Sequence, residues 1–290
     1  MDIDREARRL EVIYEAAAGK LMATLLGLDV LNFTEIGAMR VRERVDVIIR
    51  GLNRGAARWL GKSVRVAYEG EHRITENRLL MMGAERNGRR TKVHGLAIKR
   101  TINAVAKDLV KANESIRQIA GQYIGLVREG ATGAKELQAF SKLTEKEKAR
   151  VQDLVDWAFR EGESRGALRS RIMDYLRTRL QGDKFITING RNYKIGKYID
   201  LVAGHALRTA QSEATEATAR EYDHDLIEIP AKGGSCEEIC VPLEGKVYSL
   251  TGQTPGYPVL DKRPPFHPRC RHYERVVSET ILGWRQREAQ

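Results

Sequence analysis

Cysteine is scarce in this sequence: three residues in 290, at positions 236, 240 and 270. A disulfide between Cys236 and Cys240 would therefore leave Cys270 over. No uncharged apolar run approaches the length needed to cross a bilayer. The opening, Met1 to Glu6, alternates acidic and basic residues without the apolar stretch of a secretion signal. These absences predict a soluble protein made in a reducing cytoplasm, where thiols or a metal site are favoured over disulfides. A phosphate-cradling P-loop, a dinucleotide fingerprint and a nucleophile elbow are all missing, which removes the motif-bearing nucleotide enzymes and hydrolases. There is no sequence repeat.

What is present is mostly helical patterning. Hydrophobic residues make up 42% of the chain, enough to bury the core of one large or two modest domains. Ile3, Ala7, Leu10, Tyr14, Ala17, Leu21, Leu25 and Leu28 recur at intervals of three and four, one stripe of an amphipathic helix. Asn32 with Glu35 reads as a capping box that opens a second helix, whose stripe is Val41, Val45, Ile48, Leu52, Ala56 and Trp59. Ile98, Ile102, Val105, Leu109, Ala112, Ile116, Ile119, Tyr123 and Leu126 continue the pattern over roughly thirty residues, a rod of about 45 Å at 1.5 Å per residue. Gly130 and Gly133 end it. Thr144 with Glu147, and Ser164, predict two more helix starts.

Lys and Arg number 50 against 39 Asp and Glu, a formal charge of +11 that favours a polyanionic partner. Between Gly83 and Gly95 a glycine-punctuated turn carries Arg86, Arg89, Arg90 and Lys92, with no acid between Glu85 and Asp108. Such a turn is a candidate for non-specific phosphate contact, which needs only accessible cations. No aromatic residues are interleaved to stack on bases, so a solvated connector is the competing reading.

The character changes near residue 182. Phe185 to Ile188 and Arg191 to Ile195 flank Asn189-Gly190, the pair that supplies both positive-φ residues of a tight hairpin turn. A helix follows to about Tyr222, then a strand from Leu226 to Ile229. The predicted fold class is thus mainly α: a helical region with long amphipathic helices over 1–182, and a small α+β module with hairpins over 183–290. All three cysteines and two of the six histidines fall between residues 236 and 272. Thiolates and imidazoles gathered at two short knuckles suit tetrahedral zinc, and structural zinc is the expected cofactor. Cys236, Cys240, His267 and Cys270 are the first choice of ligands, with His272 as substitute, because Cys270 and His272 are separated by a single residue. Catalysis is not expected. Glu237, Glu238, Glu244, Asp261 and Glu274 surround the knuckles without the spacing of a site for a hard cation.

The run Cys-x3-Cys, then Leu243-Glu244-Gly245-Lys246-Val247-Tyr248-Ser249, then Gly256-Tyr257-Pro258, then Pro264-Pro265-Phe266-His267-Pro268-Arg269-Cys270-Arg271-His272 resembles the MuF-like phage minor head (minor capsid) protein family. The likeness extends upstream to the hairpin at Phe185 and the helix bearing Leu207-Arg208-Thr209, about residues 184 to 277. Three residues separate the first two cysteines here, where the family commonly has two. The resemblance implies a non-enzymatic virion component at the head interior or portal vertex. Its partners would be the portal protein, capsid subunits and packaged double-stranded DNA bound without sequence preference, with no membrane and no small-molecule substrate. The 1–182 region would dock on the portal or on neighbouring subunits. Arg208 is expected to be structural, pairing with Glu213 or a carbonyl, and Gly245 is expected to be structural as well. The alternative from another class is a zinc-dependent DNA-binding protein or nuclease acting outside the virion.

Overall fold

The computed structural model describes residues 1–26, 34–87, 93–132, 185–231, 239–280 and 282. Cys236, Arg89, Arg90, Lys92, the Asn32 cap, Gly133, the helix starts at Thr144 and Ser164, and the boundary near 182 lie outside the described residues. The described part is mainly helical, with a few antiparallel strands toward the C-terminal end. Helices α1 (Ile3–Leu26), α2 (Glu35–Met81), α3 (Val93–Thr132) and α4 (Ile195–Glu221) carry most of the described residues. Strands β1 (Phe185–Ile188) and β2 (Arg191–Lys194) form one hairpin. Strands β3 (Leu226–Ile229), β4 (Lys246–Ser249) and β5 (Arg275–Val276) form a separate sheet in the order β4-β3-β5, antiparallel throughout. None of the described helices is long and apolar enough to cross a membrane.

Helix ends follow local chemistry. The Gly37 amide donates to Thr34 Oγ1 at 3.1 Å, so Thr34 caps α2, two residues after the expected Asn32, and Glu35 is the first helical residue rather than the third. At the other end of α2, Ala84 N donates to Leu79 O and Gly83 N to Leu80 O, with Gly83 at φ 78°. This paired closure uses a left-handed residue to satisfy carbonyls that the helix would leave bare. α4 ends the same way with Asp223 at φ 48°, where a short polar side chain tolerates the conformation.

The chain folds as two compact units, each assembled from separated stretches: one from 1–10, 56–109 and 199–290, the other from 11–55 and 110–198. In the second unit, the buried stripes are Tyr14, Ala17, Leu21 and Leu25 on α1, Val41, Val45, Ile49 and Leu52 on α2, and Ala112, Ile116, Ala120 and Ile124 on α3. Arg117 pairs with Asp46 at 3.0 Å, linking α3 to α2 on their outer side. The β1–β2 hairpin turns at Asn189 (φ 50°) and Gly190 (φ 75°), the predicted two-residue turn.

The first unit holds the site. Its core joins Leu79 of α2, Ala219 of α4 and Tyr222 to Ile227, Ile229, Tyr248, Leu250, Phe266 and Val276, with Cys240 and Cys270 in the same buried cluster. β3 is the centre of this layer, and all four of its residues are buried. β5 gives it only two register pairs, Ile227 with Val276 and Glu228 with Arg275. A three-stranded sheet so short needs support besides its ladder hydrogen bonds.

Candidate metal centre

Two segments bring candidate ligand atoms to one end of this sheet. After Cys240 the chain makes a single 3-10 turn, Val241–Leu243, in which Leu243 N donates to Cys240 O at 3.0 Å. Gly245 then reverses it into β4 with φ 71°, while its amide donates to Ile229 O at 2.7 Å. A side chain at 245 would meet no neighbouring atom, so the left-handed backbone is what calls for glycine here. The second segment starts with a turn in which Cys270 N donates to His267 O at 2.9 Å. Beyond it, Cys270, His272, Glu274 and Val276 are buried, while Arg271 and Tyr273 are exposed and Arg275 half-buried. That alternation is an extended strand entering β5.

Cys240, Cys270 and His272 lie close together and could bind a metal: one ligand atom from each falls within 4.8 Å of the others, and all three residues are buried. The Sγ atoms of Cys240 and Cys270 are 3.9 Å apart, and Cys270 Sγ lies 3.5 Å from His272 Nδ1. Zinc bonds of about 2.3 Å to sulfur and about 2.0 Å to nitrogen, at tetrahedral angles, put two sulfurs about 3.8 Å apart and a sulfur and nitrogen about 3.5 Å apart. The donor set is two soft sulfurs and one imidazole, the chemistry of a structural zinc site. At that separation the two sulfurs are not joined as a disulfide. His272 Nε2 lies 2.5 Å from Glu244 Oε1, and the ring packs against Phe266 at 6.2 Å between centroids.

Of the sequence-derived ligands, Cys240 and Cys270 converge, and His272, the substitute, completes the described trio. His267 is not part of it. The turn that closes on its carbonyl starts the extended segment at Cys270, and there a single intervening residue returns the next side chain to the same face. The ligands reach the cluster from the entries of β4 and β5, the two strands that flank β3. A metal here would tie the two edge strands across the central one.

The remaining singled-out residues have structural partners. Arg208 Nη2 is 3.2 Å from Asp4 Oδ1, whereas Glu213, its expected partner, pairs with Arg100 at 2.8 Å. On the opposite helical face from Glu213, Arg208 is directed to the start of α1 instead. Arg86 does not project freely for phosphate: its Nη2 donates to Glu221 Oε2 at 2.8 Å, and Nη1 lies 3.8 Å from Glu76. Glu221 has a buried side chain and also meets His94 Nε2 at 2.9 Å, while His94 Nδ1 is 2.7 Å from the Tyr68 hydroxyl. Burial pushes the Glu221 carboxyl up, but Arg86 and His94 outweigh it and hold its pKa below the ordinary carboxylate value.

Sequence reasoning passed over Asp225, which anchors the loop after β4. Its Oδ1 accepts from Thr251 N at 2.8 Å and Thr251 Oγ1 at 2.6 Å. Its Oδ2 accepts from Ser249 Oγ at 2.5 Å, Thr254 Oγ1 at 2.7 Å and Thr254 N at 3.2 Å. Burial pushes this carboxyl up, and the hydroxyl and amide donors outweigh burial to hold it well below its usual range.

Fold and cluster together define a mainly helical protein in which a small antiparallel sheet carries a buried trio of two thiols and an imidazole. No family model, curated protein or solved structure matches the chain.

Proposed function

We propose that this chain is a structural, non-enzymatic minor head protein of a tailed phage or prophage-derived particle, associated with the portal and capsid subunits and acting in head morphogenesis. One observation carries the reading. The short motifs that resemble the MuF-like family come together: Cys240 of the first knuckle lies beside Cys270 of the last, and Glu244 of the Leu-Glu-Gly-Lys run contacts His272, while Gly245 turns that run into β4. In this proposal the centre is a structural zinc site held by Cys240, Cys270 and His272, with Cys236 as the fourth ligand. When bound, zinc supplies a cross-link rather than a reaction, stabilising a small sheet with little core of its own. The long amphipathic helices provide the faces for subunit contact, and the net charge of +11 supports sequence-independent attraction to packaged DNA that weakens with salt.

Purified particles test the assignment. The protein is expected to co-purify with portal and shell protein at a copy number far below the shell subunit. A protein absent from particles that nicks plasmid DNA in a metal-dependent manner, with loss of nicking in His267→Ala, would establish the alternative nuclease reading. Elemental analysis of the purified chain is expected to give about one zinc per chain, with chelator lowering the unfolding temperature.

A further inference from the structure

We infer that Glu244 is the positioning residue of the metal centre: its carboxylate accepts a hydrogen bond from the Nε2–H of His272 and so commits the Nδ1 lone pair to the metal. The inference rests on the metal site proposed above. A neutral imidazole has one N–H and one lone pair, and a carboxylate only accepts. With Nε2 2.5 Å from Glu244 Oε1, the ring proton belongs on Nε2. The lone pair then lies on Nδ1, the atom that faces Cys270 Sγ at 3.5 Å.

The fold places Glu244 for this role twice over. Its backbone closes the 3-10 turn, with Glu244 N donating to Val241 O at 3.2 Å, and the next amide, at Gly245, is pinned to Ile229 O at 2.7 Å. The carboxylate thus sits on backbone fixed to the central strand β3. The His272 side chain is 1% exposed and that of Glu244 17%, so their contact is shielded from competing water on the ring side. A carboxylate behind a metal-bound imidazole orients the ring and raises the basicity of the nitrogen that binds. It also accounts for an acidic residue in the Leu-Glu-Gly-Lys run, which has no ligand role of its own among the described residues.

The test uses the full-length chain, zinc alone as the ligand, and the variants Glu244→Ala and Glu244→Gln. Zinc affinity is measured by competition with a chromophoric chelator, and the His272 tautomer by nitrogen-15 NMR of the zinc-loaded protein. The expected result for the parent chain is a proton on Nε2 and zinc on Nδ1. Glu244→Ala is expected to bind zinc 10- to 100-fold more weakly. Glu244→Gln keeps a carbonyl to accept the hydrogen bond from Nε2–H, so it should recover part of the affinity and keep the tautomer, a rescue that simple loss of packing would not give. Zinc on Nε2 in the parent chain, or an alanine variant with parental affinity, overturns the inference while leaving the metal site standing. A parent chain that binds no zinc overturns the site and the inference with it. If Glu244→Ala does not fold, the parent tautomer and the glutamine variant still decide the outcome.

Discussion

Replacing Asp225 by asparagine changes one atom and removes the anchor of a loop. Each carboxylate oxygen serves one backbone amide, Thr251 on one side and Thr254 on the other, together with three hydroxyls. An asparagine carbonyl can replace only one of these oxygens. Whichever way the amide turns, its NH2 group faces a backbone N–H that has lost its acceptor. The hydroxyls can rotate to accept, but the stranded amide cannot. An orphaned donor costs about 1–3 kcal/mol when buried and less here, where Thr251 is exposed and Thr254 half-buried, and exchanging charged for neutral acceptance weakens the bonds that remain, so the local loss should be about 1–3 kcal/mol. Amide hydrogen exchange at Thr251 and Thr254 should accelerate by roughly 5- to 140-fold, at 1.4 kcal/mol per factor of ten. The pH dependence has a definite sign. A carboxyl held below its ordinary value of 3.8 contributes stability that is present above that value and lost as pH falls through the folded-state pKa. The parent loop should therefore loosen in acid, and the variant should lack that limb. Exchange within about threefold of the parent at both amides, a difference of only ~0.7 kcal/mol, would refute the five-bond account.

Two further substitutions probe the same unit. Ile227→Ala, at the fully buried centre of β3, should cost about 2–5 kcal/mol by urea unfolding, and a cost under ~1 kcal/mol would mean that β3 is not the centre of the core. Arg86→Ala should destabilise by about 1–2 kcal/mol, less than a fully buried pair because the arginine is partly exposed. Since Glu221 is held below its ordinary value, that contribution should be present near neutral pH and fade as pH falls through the acidic range, as thermal unfolding across pH would show. A variant of parental stability whose DNA affinity drops would instead return Arg86 to phosphate contact.

The long helices were legible because burial imposes their period. Ala7, Leu10, Tyr14, Ala17, Leu21 and Leu25 are the buried face of α1, as the sequence spacing predicts. On α2 the predicted Val41, Val45, Leu52, Ala56 and Trp59 are buried, and on α3 Val105, Leu109, Ala112 and Ile116, but the stripe shifts by one residue in places. On α2, Ile49 is buried rather than Ile48; on α3, Ala97, Thr101 and Ala120 take the places expected of Ile98, Ile102 and Ile119. Apolarity marks the width of a face, whereas close helix contact selects small residues for its centre, so large aliphatics that flank the contact read as its middle. The hairpin at Asn189-Gly190 was legible for a different reason, since that turn demands particular residues. At the knuckles, residue types pointed to the neighbourhood where Cys240, Cys270 and His272 cluster, and spacing rules ranked His267 ahead of His272, the histidine in that cluster. The signal that could have found His272 is the alternation of Cys270, His272, Glu274 and Val276, a strand pattern that puts one-residue spacing on one face. Glu244 and Asp225 left no such pattern. Their partners are 28 residues away for Glu244 and 24 to 29 for Asp225, separations that local sequence does not reveal.

The interleaving of the two units also sets an order of events during synthesis. Leu79 of α2 packs in one core with Ile227 and Val276, which emerge from the ribosome much later. At roughly 5–20 residues per second, that helix face waits on the order of ten to thirty seconds for its partners. Over the same interval the second unit, which ends at residue 198, has its whole sequence in hand before the first unit does. An apolar surface left waiting this long is what holding chaperones recognise, and fast translation of the last hundred codons would shorten its exposure.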